Sequence, residues 1–184
     1  MKIKRGNSFK KEKFRNLAES KHSQVKLSFG MIFSIILIVI FLVVGFYVIT
    51  KFLDLQKDIQ IKQFTTNLQE DVNDIWRGHQ GSQERTYSLA SGIKAVCFVN
   101  FSDSSKGDNS DIFSELEMYA NPEDNLVFYP PEKAAGQISR TIENINLNKI
   151  TSSENPFCIE NSKGKIELKI VMSHDEGLVR IEEI

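Results

Sequence analysis

The chain has two cysteines, Cys97 and Cys158, and they carry its most definite chemical option. Each sits in a short apolar run, Val-Cys-Phe and Phe-Cys-Ile, of the kind that forms a strand. On an oxidising side of a membrane two such residues can form one disulfide. A bridge between them closes a loop of about 60 residues, worth roughly 4 kcal/mol on the chain-entropy model. The alternative is two separate buried thiols packing as small hydrophobes, and the sequence leaves both open. The three histidines, His22, His79 and His174, are far apart, with no i, i+4 pair and no Cys-x-x-Cys beside them. No metal site is expected from that spacing. No G-x-S-x-G, P-loop or dinucleotide fingerprint occurs, so the chain is read as a non-enzyme with no catalytic residue and no cofactor. His79 with Gln80, Gln83, Glu84 and Arg85 forms a polar cluster, read as a solvated loop in preference to a binding surface. Asn100-Phe101-Ser102 is an acceptor sequon, usable if Asn100 lies outside the cytoplasm in a host with the machinery.

All of these residues except His22 follow a stretch that fixes where they sit. Residues 27–50 are 24 positions without a charge, flanked by Lys26 and Lys51. As a helix they span roughly 36 Å, enough to cross a hydrocarbon core of about 30 Å. In lipid a lone segment must satisfy its own backbone groups, which only a helix does. The run is too long for a cleaved signal's apolar region, and no small-x-small pair follows it, so an uncleaved single-pass anchor is expected. Phe46 and Tyr47, near its outer end, suit the lipid–water interface.

The formal net charge of −1 hides a division. Residues 1–26 hold nine basic against two acidic side chains, and residues 52–184 hold 13 basic against 22 acidic. Positive charge beside a membrane segment marks the cytoplasmic side. The basic tail 1–26 is therefore placed inside, where it can also lie on anionic lipid. The acidic remainder is placed outside. The tail lacks an aromatic platform or binding motif, so nucleic acid is not an expected partner.

Beyond Lys51, apolar residues recur at Phe52, Leu55, Ile59, Phe64, Leu68, Val72, Ile75 and Trp76, mostly three or four apart. That is one stripe of a helix, and nothing breaks it before Gly78. One continuous helix is predicted over 27–76, with 51–76 an amphipathic extension covered by the C-terminal domain or by a second copy. Trp76 is assigned as a core anchor between helix and domain. Residues 77–92, with three glycines, read as a loop. Ile93–Phe101 reads as a doubly covered central strand. Asp111–Ala120 reads as a short helix ended by Pro122, and Leu126–Tyr129 as a strand closed by Pro130. Residues 141–147 lean to strand. Phe157–Glu160, Lys165–Met172 and Leu178–Glu182 read as an antiparallel meander, with Ile166, Leu168 and Ile170 on the buried face. The expected fold class is α+β: a long N-terminal transmembrane helix continuing into an amphipathic helix packed on a small antiparallel β-sheet. The head comprises residues 77–184.

A basic start, a half-apolar half-amphipathic helix and a small β-rich head together resemble the layout of type IV pilins and pseudopilins. That resemblance implies cleavage after Gly30, ahead of Met31-Ile32-Phe33-Ser34, although Ile35 stands where that family commonly carries Glu. Trp76, Gln80-Gly81-Ser82-Gln83 and Val96-Cys97-Phe98 are also similar to a stretch in uncharacterised archaeal single-pass membrane proteins, a likeness that implies no activity. The expected role is a membrane-anchored structural or interaction protein, with the lipid bilayer as one partner. Self-association or a protein partner would use the helix stripe or a sheet edge. The alternative role is a pilin-like filament or secretion subunit.

Overall fold

The computed structural model describes residues 28–184; the basic tail and Leu27 lie outside this range. The described residues divide at Val43/Val44 into two units. Helix α1 runs from Phe29 to Gly78, 50 residues without a break. It contains no proline, and its apolar first half is long enough to cross a membrane. All its residues from Phe29 to Gln56 are solvent-exposed except Gly45. The helix stops where His79 turns into the left-handed region at φ 61°, with its N–H donating to the Trp76 carbonyl at 3.2 Å.

From Ile61 onward α1 becomes part of the head. Ile61, Phe64, Leu68, Val72 and Ile75 are buried, at gaps of three or four. They pack into one core cluster with residues of two antiparallel sheets. The fold is thus α+β, with a long N-terminal apolar helix packed on antiparallel sheet. The first sheet has the order β1 (Gly81–Ser88), β6 (Lys165–Met172), β7 (Arg180–Glu183). The second has the order β4 (Ser139–Arg140), β3 (Leu126–Tyr129), β2 (Ala95–Phe98), β5 (Phe157–Glu160).

Strand β2 is buried on both faces. Val96 and Phe98 face the main core, while Ala95, Cys97 and Val99 face a second cluster under helix α2 (Ser110–Tyr119). Phe113 and Leu116 of α2 close that side. The alternation in β6 is as expected, with Ile166, Leu168 and Ile170 fully buried.

Four expectations are corrected. Residues 81–88 are not loop but strand β1, paired along its length with β6. Of its eight residues only Tyr87 is buried, so an edge strand this polar shows no apolar alternation. The meander is broken: β6 and β7 pair, but β5 belongs to the other sheet beside β2. The connection after β5 crosses between sheets, and its polar groups bond to the segment between β1 and β2. Asn161 donates from Nδ2 to the carbonyls of Ala90 and Ile93, and the Leu89 N–H donates to the Gly164 carbonyl. Residues 141–147 form no strand. The short strand β4 precedes them, and a single turn α3 (Leu147–Ile150) follows, capped by Asn146. Ile142, Ile145 and Ile150 are buried at intervals of three and five, which sustain neither a strand nor a helix period. Trp76 is not in the core. It stays 38% exposed and ties the helix end to the rim through Nε1–H donated to the Gly177 carbonyl at 3.2 Å.

One buried side chain holds the end of β2. Asn155 is fully buried; its Oδ1 accepts from the Asn100 N–H at 3.0 Å, and its Nδ2 donates to the carbonyls of Asn100 and Ser104. Asn155→Ala strips three backbone groups of partners at once, at about 1–3 kcal/mol each before water enters. The expected loss is about 3 kcal/mol in urea unfolding, and a loss below about 1 kcal/mol would show that water replaces the amide.

Candidate functional site

Cys97 and Cys158 stand opposite each other in the β2–β5 register and form a disulfide, 61 residues apart in sequence. The pair sits in the cluster under α2, with Cys97 fully buried. The bridge therefore fastens β5, an outer strand of its sheet, to the doubly covered β2.

Asn100 follows β2 and is half-buried. Its Nδ2 donates to Asn148 Oδ1 at 3.0 Å, and its Oδ1 accepts from the Ser102 N–H at 3.1 Å. Gly30 lies in the first turn of α1, and an added Cβ there would meet only Ser28 Oγ at 3.5 Å. His22 lies outside the described residues. His79 and His174 are exposed and lie in separate turns. The predicted cluster of His79, Gln80, Gln83, Glu84 and Arg85 is not one loop, because its last three members lie on β1.

What the structure gathers instead is Asp71 with Arg85 and Tyr87, a grouping that joins α1 to β1. The Tyr87 hydroxyl donates to Asp71 Oδ2 at 2.6 Å, and Arg85 Nη2 lies 3.0 Å from Asp71 Oδ1. Burial, then the hydrogen bond to Asp71, raises the Tyr87 pKa well above its ordinary value. The phenol therefore stays neutral and acts as a fixed donor. Asn67, Glu70 and Thr86 complete the lining of a shallow cavity of about 330 Å³ here. The sequence hid this grouping because its members are 14 and 16 residues apart on two elements.

A larger cleft, about 420 Å³, opens between α2 and the β2–β5 edge. Asp108, Glu154, Glu160 and Glu183 line it, with Lys94 as its basic member. Among the described residues, no three His, Cys, Asp or Glu side chains are placed to hold a metal ion.

The most strongly tuned carboxylate is Glu176, in the turn before β7. Its side chain is 6% exposed and pairs with Lys149 and Arg180 while accepting from the Ser173 N–H. The Lys149 hydrogen bond, then the Ser173 N–H, lowers its pKa from 4.5 to about 2. A depressed carboxylate contributes stability above its unfolded pKa and loses it as pH falls toward the folded value. Between about pH 4.5 and pH 2 the head therefore loses a contribution that Glu176→Gln never has. The expected result is a shallower fall in thermal midpoint across that window for Glu176→Gln. Parallel slopes for the two proteins would contradict it.

Comparison with protein-family models, with curated proteins and with solved structures gives no match.

Proposed function

We propose that the chain is a single-pass membrane-anchored structural or interaction protein that displays its disulfide-bonded α+β head outside the cytoplasm. The observation that carries this reading is the bare, charge-free run of α1 from Phe29 to Thr50, whose apolar side chains are exposed all round. A helix hydrophobic on every side belongs in lipid or in a large protein core. The basic tail supports a cytoplasmic N-terminus. The Cys97–Cys158 bridge supports an oxidising compartment for the head. On that side Asn100 is a glycan acceptor in a host that has the enzymes. The role proposed involves no catalysis, cofactor or nucleic acid. Protease added to sealed cells tests the orientation: the head is expected to be digested and the lysine-rich tail to survive. The reverse pattern would overturn it.

A second reading is a pilin-like subunit of a surface filament or secretion system. It is favoured by one feature, the unbroken 50-residue helix whose second half is seated in a small β-rich head. The N-terminal residue of the mature protein separates the two. Met31 first would support processing after Gly30, and an intact Met1 would support the anchor.

A further inference from the structure

The apolar stripe that leaves the charge-free segment does not all enter the head. Phe52, Leu55 and Ile59 remain 56%, 54% and 44% exposed, whereas Ile61 is fully buried. The open and covered sets lie on opposite faces of α1, since Phe52 and Ile61 are nine residues apart, about two and a half turns. The open set continues back along the helix to Val48, and the half-buried Gly45 precedes it in step, giving the spacing 3-4-3-4 from Gly45 to Ile59. In sequence the same spacing runs on to Phe41 and Ile38, and it ends at Lys62. This is a heptad seam, with apolar or small residues at every a and d position.

We propose that this seam packs against the same seam of a second copy, forming a parallel two-stranded homodimer rooted in the bilayer. The proposal rests on the reading of α1 as a membrane anchor. Lipid alone does not cover the stripe: Ile59 lies nine residues, about 13 Å, beyond Thr50, past a headgroup layer of about 5–8 Å. A soluble partner is disfavoured by area. Three half-exposed side chains offer a few hundred Å² at most, against about 800 Å² per side in a standard specific interface. A partner must therefore add contact along the lipid-embedded part of the seam. A second copy does so with its stripe at the same height above the membrane, and shared insertion forces the parallel orientation. Gly45 allows close approach, with no atom within 4 Å of an added Cβ. The flanking e and g positions raise no obstacle, because Lys51 would face Gln56 and Asp58 would face Gln63 of the other copy.

The test uses the full chain in phosphatidylcholine vesicles at a low protein-to-lipid ratio, treated with a short bismaleimide. The native cysteines are bridged and do not react. Leu55→Cys and Ile59→Cys should each yield covalent dimer about 10-fold more than Lys57→Cys, which points away from the seam. Adding Ile59→Asp to Leu55→Cys should lower that yield by about 10-fold or more. Equal yields at 55, 57 and 59 would mean random collision and overturn the seam, as would monomer throughout. Alkaline carbonate applied to the same vesicles separates the two failures. Retained protein without dimer sinks the seam alone, whereas released protein sinks the anchor and the seam with it.

Discussion

Replacing Cys97 and Cys158 together with alanine is expected to lower the thermal midpoint of the head by on the order of 12–16 °C. The bridge spans 61 residues that contain α2, β3, β4 and α3. Opening it returns the entropy of that loop to the unfolded chain, about 4 kcal/mol on the chain-entropy model. At roughly 3–4 °C per kcal/mol for a domain of this size, the shift follows. The cost falls on β5, whose place beside β2 is held by three residue pairs besides the bridged one. Thermal melts followed by far-ultraviolet circular dichroism in detergent would read it, and reductant added to the unmodified protein should reproduce the effect. A shift below about 4 °C in both experiments would show that strand pairing alone secures β5.

Phe64→Ala is expected to cost about 4 kcal/mol, seen as a lower urea midpoint with an unchanged slope. Phe64 is 1% exposed and sits where α1 meets both sheets. Its ring meets Tyr87 of the first sheet edge-on at 5.4 Å and Phe128 of the second at 5.8 Å. Truncation removes the transfer energy of a buried ring, leaves a cavity, and breaks two aromatic contacts worth about 0.5–1.5 kcal/mol each. Phe64→Leu keeps most of the volume and should cost less than half as much. Equal losses for the two variants would mean that shape at this position does not matter, contrary to a closely packed junction.

The helix and the buried strands were readable because their burial is periodic. The charge-free run, the stripe at Phe64, Leu68, Val72 and Ile75, the doubly apolar β2 and the alternation in β6 each repeat a pattern that local sequence displays. Strand β1 was not readable, because Gly81–Ser88 is polar on both faces and exists as a strand through its ladder with β6. The partner of β5 was not readable either. Register and order depend on long-range pairing, and in Phe157–Glu160 only Cys158, through the bridge to Cys97 that the sequence left open, points to β2 as a neighbour. The split of the helix stripe at Ile59/Ile61 has the same origin. Spacing alone joins Phe52 to Ile75 as one face, and only the position of the head shows that two opposite faces are in use. The grouping of Asp71, Arg85 and Tyr87 was hidden because it needs β1 to exist first.

Extraction of membranes with alkaline carbonate is the most direct test of the central reading, that the uncovered half of α1 is dissolved in lipid while its continuation is locked into the head. The full-length protein should stay in the membrane pellet and be released only by detergent. Recovery in the carbonate supernatant would contradict it.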